Sequence, residues 1–200
     1  MAFIPRSEKT RAFIIETTAG IFNKKGYAGT SMSDLTEATK LTKGSIYGNF
    51  ENKEEVALAA FEYNLSKRNQ LITQQLEASN TNYDKLMAFP AIYSSAEMAC
   101  FLEDGGCPLL NTGVEADDAN ELFRIKVAEG VTRWKQSLEN IITAGIEAQE
   151  FSANTEISKT ATSIIALIQG GVFLTKTTKN PLLLNQSLET IKEIIQKITL

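Results

Sequence analysis

Side chains suited to hydrogen bonding with another molecule cluster within residues 30–53. Several of them lie at the start of a short helix predicted over residues 43–50. Thr42, Lys43, Gly44 and Ser45 offer short polar or small side chains there. A helix that enters the major groove of DNA carries such residues at its N-terminal end, because its backbone must approach the base edges closely. Their types and order therefore predict hydrogen bonding to DNA bases.

Apolar residues on the opposite side of this predicted helix indicate how it is held in place. Ile46 and Phe50 are four positions apart, which puts them on one helical face, and we expect that face to pack against Leu35. The alternative is that residues 42–50 are only a short amphipathic connector that contains a tyrosine. The residue types alone leave both interpretations open.

Other residues of this region are suited to phosphate contacts, which position a protein on DNA without reading its sequence. Tyr47 and Lys53 are placed to reach phosphates. Ser31 is expected to cap a second helix whose free amides suit an anion. Thr30 and Asn49 complete the predicted DNA-binding residues.

The order of these features resembles the DNA-binding domain of the tetracycline-repressor (TetR) family of regulators. The matching positions are a Gly-Tyr, a Thr-Ser cap, a Leu and Ala in the second helix, and Lys-Gly-Ser-x-Tyr-x-x-Phe-x-x-Lys: Gly26, Tyr27, Thr30, Ser31, Leu35, Ala38, Lys43, Gly44, Ser45, Tyr47, Phe50 and Lys53. The resemblance implies a dimeric repressor that binds a palindromic operator on double-stranded DNA. Gly48 departs from the pattern, because the family usually has a bulkier residue there, often histidine. A base contact by the side chain at this position is therefore not implied.

The composition excludes several classes of site. The chain has no histidine and only two cysteines, Cys100 and Cys107, which removes histidine-dependent triads, histidine-ligated metals and cysteine-rich zinc sites. There is no cluster of carboxylates and no glycine-rich phosphate loop. We therefore expect no metal, no cofactor and no enzymatic activity.

The cysteine count and the N-terminus also bear on location. Two cysteines without a secretory signal suggest reduced thiols, and residues 1–11 lack the apolar core of a signal peptide. The most apolar run, residues 164–174, is about half the length of a bilayer span. We expect a cytoplasmic protein with no membrane partner.

The net charge of −4 hides an asymmetry along the chain. Residues 1–53 hold eight Lys or Arg against five Asp or Glu, hence +3, whereas residues 54–200 hold twelve against nineteen, hence −7. A basic N-terminal part on an acidic remainder concentrates phosphate attraction at one end of the chain.

Helical periodicity runs through the chain and predicts an all-α fold. We expect an N-terminal three-helix helix-turn-helix DNA-binding head over residues 1–53 and a helical ligand-binding and dimerisation body over residues 54–200. The first helix is predicted to be capped by Ser7 and to bury Ala12, Ile15, Ala19 and Phe22. The helices are predicted over residues 7–25, 31–40, 43–50, 53–78, 83–101 (kinked at Pro90), 107–116, 120–150, 155–178 and 184–198.

Two C-terminal helices carry more apolar surface than a small body needs. A helix that is apolar all round must be buried on every side, which favours packing against a second copy of the chain. The alternative is that these residues close the core of one protomer. The predicted dimer contacts are Ile164, Ile168, Val172, Leu184, Leu188, Ile191 and Ile195.

Candidate ligand contacts lie in the helical body, residues 54–200. Tyr93, Phe101, Trp134 and Phe173 are possible walls of a pocket, although aromatic residues at helical spacing are more often core. The segment 106–115 resembles a Gly-Cys-x-x-x-Asn-x-x-x-Glu pattern found in a subset of the family, with Cys107, Asn111 and Glu115 on one helical face. Cys107 is either a reactive sensor thiol or a small packed side chain, with Asn111 and Glu115 bonding to backbone.

The sequence thus predicts a ligand-released repressor whose inducer is a small molecule. The alternative is a helical sensor or adaptor dimer that keeps the head but no longer reads DNA, and Gly48 is its best support.

Overall fold

The structure is a computed structural model that describes residues 6–116 and 120–200. In this part of the chain every regular element is an α-helix, and the only β-pairing is an isolated antiparallel bridge between Phe151 and Thr199. This confirms the all-α prediction. The helices are α1 (Arg6–Lys25), α2 (Met32–Thr39), α3 (Lys43–Tyr47), α4 (Lys53–Glu77), α5 (Asn82–Tyr93), α6 (Ala96–Glu103), α7 (Pro108–Ala116), α8 (Glu121–Glu147), α9 (Ile157–Thr178) and α10 (Leu182–Ile198).

The chain divides into two compact units. The first comprises Met1–Lys67 with Asp104–Ile125, and the second Arg68–Glu103 with Lys126–Leu200. The first unit is larger than the DNA-binding head expected over residues 1–53, because it also includes the first part of α4 and all of α7. The boundary at residue 53 stays a prediction.

The core of the first unit holds the helix-turn-helix together. Ile14, Leu35 and Ile46, from α1, α2 and α3, are fully buried in one cluster with Phe22 and Phe50. The predicted packing of Ile46 and Phe50 beside Leu35 is therefore observed. Each buried side chain of this size stabilises the fold by about 1.5–3 kcal/mol relative to an exposed one.

The packing face of α1 agrees with the prediction at Ala19 and Phe22, which are buried, but not at its N-terminal end. Ala12 is exposed, whereas Ile14 and Thr18 are buried. Thr18 takes a core position because its hydroxyl donates to the Ile14 carbonyl 2.8 Å away, so no polar group is left unsatisfied. Ser7 lies inside α1, which begins at Arg6, and is not its N-cap.

Local signals fix the ends of the two short helices. Ser31 and Asp34 form both arms of a capping box at the start of α2. Lys40 ends that helix in the left-handed region at φ 57°. Thr42 caps α3 by accepting from the Ser45 amide at 3.1 Å. These caps place a tight turn between α2 and α3.

In the second unit α10 packs against α9 and α5. Gly171 lets α9 and α10 approach closely, since a Cβ at this position would lie 2.9 Å from Ser187 Oγ and 3.0 Å from Leu184 Cδ1. One predicted helix, residues 83–101, is two helices: α5 ends before Ser94, and Ser95 Oγ accepts from the Met98 amide at 3.2 Å to start α6. The break follows this serine cap rather than Pro90, which lies within α5.

Candidate nucleic-acid interface

The outer face of α3 has the character expected of a surface that reads DNA. Thr42, Lys43 and Gly44 are exposed, and Tyr47 is 37% exposed, while Ile46 faces the core at 0%. A Cβ at Gly44 would meet only Thr42 Oγ1, at 4.0 Å, so the fold does not require glycine there. A small residue that the protomer itself does not need is consistent with close approach to an outside partner.

Two lysines near α3 are available for phosphates. Among the described residues of the first unit, Lys40 and Lys43 are exposed cations with no ion pair, and the Lys43 ammonium lies 5.7 Å from the centre of the Tyr47 ring. Arg11 and Lys25 are instead paired, with Glu55 and Asp34. Sequence reasoning missed Lys40, although its place in the turn between the two helices was a usable signal.

The phosphate-contacting role predicted for Lys53 is not supported. Its ammonium donates to the carbonyls of Tyr27 and Thr30, both at 2.8 Å, and lies 4.2 Å from the centre of the Tyr27 ring. The ammonium therefore satisfies two backbone carbonyls within the connection between α1 and α2. We therefore assign Lys53 to holding this connection in place.

Replacing Lys53 with methionine tests that assignment. We expect Lys53→Met to destabilise the protein by about 1.5–3 kcal/mol in urea unfolding, because two hydrogen bonds to a charged donor are lost. The salt dependence of DNA binding should stay unchanged, whereas Lys43→Ala should lower the slope of log K against log salt by about 1. An equal loss of slope in both variants would return Lys53 to the phosphate-contacting group.

Three other predicted contacts are also engaged within the protomer. Thr30 is 1% exposed and its hydroxyl donates to the Gly26 carbonyl at 2.6 Å, so its side chain does not face outward. Ser31 donates its amide and its hydroxyl to Asp34, each at 2.7 Å. Asn49 is half-buried, and its amide donates to the Ser45 carbonyl at 2.9 Å. The outward-facing set is therefore smaller than predicted and centres on Thr42, Lys43, Gly44, Ser45 and Tyr47.

The capping carboxylate of α2 stays ionised under ordinary conditions. Hydrogen bonds from the Lys25 side chain first, and then from Ser31, hold the pKa of the Asp34 carboxyl well below its usual range. A lowered pKa contributes stability above the pKa of the unfolded chain, and that stability is lost only as the pH falls through the folded value. The cap is consequently intact at neutral pH, where its negative charge competes with a phosphate at this helix end.

The segment 106–115 fastens α7 to the end of α1. Glu115 accepts from the Tyr27 amide at 2.8 Å and from the Ala28 amide at 2.7 Å. Asn111 donates to the Asn23 carbonyl at 3.0 Å. This geometry corresponds to the packing alternative, in which the asparagine and glutamate bond to backbone. Cys107 is 1% exposed and precedes α7, so a soluble electrophile has no direct access to it.

The predicted ligand contacts belong to both units of the chain. Trp134 and Tyr93 come together in the second unit, where the Arg68 guanidinium lies 3.8 Å from the centre of the Trp134 ring and its Nε donates to Tyr93 Oη at 3.1 Å. A cavity of about 200 Å³ is lined by Arg68, Trp134 and Phe89. Phe101 is half-buried on α6, and Asn111 and Cys107 belong to the first unit.

The remaining predicted ligand contact and the dimer contacts need correction. Phe173 is 54% exposed on α9, so it forms part of a surface rather than a pocket wall. The seven predicted dimer contacts are at most 7% exposed in a single chain, in which α10 packs against α9 and α5: Ile164, Ile168, Val172, Leu184, Leu188, Ile191 and Ile195. Periodicity identified a buried face correctly, but that face is covered within the protomer.

A different face of α9 is left uncovered. Ala166, Gly170, Phe173 and Leu174 follow helical spacing, and the last two are 54% and 43% exposed. A Cβ at Gly170 would meet nothing within 4 Å. α9 is also the single helix of the described residues that is long and apolar enough to cross a membrane, although its other face packs in the core.

Comparison with known proteins gives consistent matches along the chain. Residues 14–60 match the family described as bacterial regulatory proteins, tetR family, and residues 82–191 match the tetracyclin repressor-like, C-terminal domain. A solved TetR-family transcriptional regulator from Cytophaga hutchinsonii is 45% identical, with a TM-score of 0.95, covering 100% of this chain and 99% of that one. A TetR transcriptional regulator from Chloroflexus aurantiacus is 30% identical, with a TM-score of 0.90 and 98% of each chain covered. The HTH-type transcriptional repressor DhaR of Mycobacterium sp. is 25% identical over 92% of this chain and 91% of its own length.

Proposed function

This chain belongs to the TetR family of bacterial transcriptional regulators, and on that basis we propose that it is a repressor released from DNA by a small molecule. Family members are regulators of transcription and not enzymes. The single observation that carries the proposal is the outward face of α3. Its polar, basic and glycine residues are exposed, while Ile46 on the opposite face is buried and holds the helix in place. A cytoplasmic location follows from this role, because the DNA of a bacterium is there.

The proposed operator is palindromic and is bound by two copies of the chain. Two recognition helices related by a two-fold axis contact half-sites about 34–36 Å apart, or a multiple of this distance. Lys40, Lys43 and Tyr47 supply the phosphate contacts in this proposal, while Thr42 and Ser45 are the side chains that reach the bases.

The uncovered face of α9 is the proposed site of dimerisation. Ala166 and Gly170 are small residues one helical turn apart, so a second helix can approach closely, and Phe173 and Leu174 add apolar area beside them. Packing of this face against a second copy would remove the exposed apolar surface of α9 from water.

The inducer site is proposed in the second unit, at the cavity lined by Arg68, Phe89 and Trp134. Trp134 is 6% exposed, and its Nε1 has no hydrogen-bond partner among the described residues. A buried indole N–H costs free energy until an acceptor reaches it, so a ligand with a carbonyl or carboxylate beside an aromatic group fits the cavity. Such a ligand releases DNA only if it binds the DNA-incompetent dimer more tightly.

Binding to operator DNA distinguishes a repressor from a sensor that no longer reads DNA. We expect the purified protein to shift DNA from its own promoter region and to protect a two-fold symmetric footprint. Lys43→Ala should weaken binding to all sequences, whereas Ser45→Ala should change the sequence preference. Failure to protect any site while the protein remains a folded dimer would favour the sensor or adaptor, for which Gly48 is the sequence argument.

A further inference from the structure

The first unit contains a cavity of about 320 Å³ to which neither the family match nor the proposed inducer site gives a role. It lies beside the connection between α1 and α2, and it is lined largely by apolar side chains from α1, α4, α7 and α8. It is larger than the cavity of about 200 Å³ at Trp134.

The walls of this cavity define the chemistry of a ligand. Phe22, Phe61 and Phe123 contribute three aromatic rings. In the described part of the chain no lysine or arginine lines the cavity, and Glu115 places a carboxylate at its edge. An anion would therefore be repelled without a compensating partner, whereas a neutral aromatic molecule would bury its rings against the phenylalanines.

Three of the polar side chains in the wall already have partners within the protomer. Both Glu115 carboxylate oxygens accept backbone amides, and the Asn64 amide donates to the Ala19 carbonyl at 2.9 Å. Asn120 accepts from the Phe123 amide at 3.1 Å and donates to Glu54 at 2.7 Å. These carboxylate and amide groups are engaged within the protomer, and most of the remaining wall is apolar, which again favours a neutral, largely apolar ligand.

One wall of the cavity is the segment that leads into the helix-turn-helix. Gly26, Tyr27 and Ala28 line it, and they connect α1 to the cap of α2. Glu115 holds the amides of Tyr27 and Ala28, while the Tyr27 ring lies 5.6 Å from the Phe123 ring. A molecule in the cavity therefore contacts the segment from which α2 and α3 continue.

We propose that this cavity is an effector site for a neutral aromatic molecule, and that its occupancy changes operator affinity by moving residues 26–28. The binding half of the inference stands independently, and the operator half rests on the proposed function. The site is distinct from the inducer cavity at Trp134, whose lining residues all belong to the second unit.

The binding half is tested with N-phenyl-1-naphthylamine, a neutral aromatic dye that fluoresces in apolar surroundings. Thr112 is a half-buried wall residue, so Thr112→Phe should fill the cavity and weaken dye binding at least tenfold. Ser137→Phe, which fills the cavity at Trp134, is the matched control and should bind like the parent protein. The second filling variant is Ala28→Trp, at an exposed wall position, in case Thr112→Phe fails to fold.

Two results overturn the binding half: no dye bound by the parent protein, or undiminished binding by both folded filling variants. The operator half is read from DNA affinity at saturating dye, where we expect a change of at least 5-fold in the parent and Ser137→Phe but none in Thr112→Phe. DNA bound equally with and without dye refutes the coupling alone. Absence of DNA binding without dye refutes the proposed function, while the dye result still stands.

Discussion

A glutamate at Gly170 is expected to convert the protein to monomers and to abolish operator binding. Gly170 has open space around it within one protomer, so the fold tolerates a longer side chain. In the proposed dimer the same side chain would bring two unpaired carboxylates, related by symmetry, into an apolar contact. An uncompensated buried charge costs about 3–5 kcal/mol, which corresponds to a loss of dimer affinity of more than about 100-fold.

Two further variants make the result specific. Gln70→Glu adds the same charge on an exposed position of α4 and should stay dimeric. Ile191→Glu places a charge in the core, where Ile191 of α10 is 0% exposed, and should yield unfolded rather than monomeric protein. Sedimentation and circular dichroism distinguish these outcomes. A Gly170→Glu protein that remains a dimer at micromolar concentration would place the interface elsewhere.

The sequence predicts that a face of α9 is buried, but it does not predict which helix covers that face. The spacing of Ile164, Ile168 and Val172 predicts a buried face, which the structure contains. Periodicity is a property of one helix and does not say whether its partner is α10 or a second chain. The exposed residues Phe173 and Leu174 became distinguishable only when the positions facing α10 were known.

Local chemistry was predictable because its signals lie within a few residues. Ser31 is predicted to cap the second helix, and the cap is present together with Asp34 three residues later. The break between α5 and α6 was missed because Pro90 is a stronger apparent signal than two consecutive serines. Pro90 lies near the C-terminal end of α5, where the helix is about to end anyway.

Long-range polar contacts were the least predictable part. Glu115 holds amides 88 and 87 positions earlier, and Glu150 accepts from the Tyr83 amide 67 positions earlier. Each contact joins a backbone amide to a carboxylate from a distant segment, so no window of sequence contains both partners. Lys53 shows the same limit, because a lysine at a helix start suggests a phosphate contact until its carbonyl partners are seen.

Gly44→Val should remove sequence-specific DNA binding while leaving the fold intact. The nearest atom to a Cβ at Gly44 is Thr42 Oγ1 at 4.0 Å, so the protomer accommodates the new side chain. On DNA, a branched side chain at the start of α3 would hold the backbone away from the base edges, where each good contact is worth about 1–3 kcal/mol.

The measurement is the ratio of operator to non-specific affinity at one salt concentration. Lys40 and Lys43 remain in Gly44→Val, so binding to random DNA should persist while the operator preference is lost in both half-sites. Gly20→Val makes the same exchange in α1, at a glycine with nothing within 4 Å, and should leave the ratio unchanged. Equal ratios for the two variants would mean that α3 does not approach the bases at Gly44. In that case the face centred on Thr42 and Lys43 would serve phosphates alone, and specificity would have to come from the shape of the DNA.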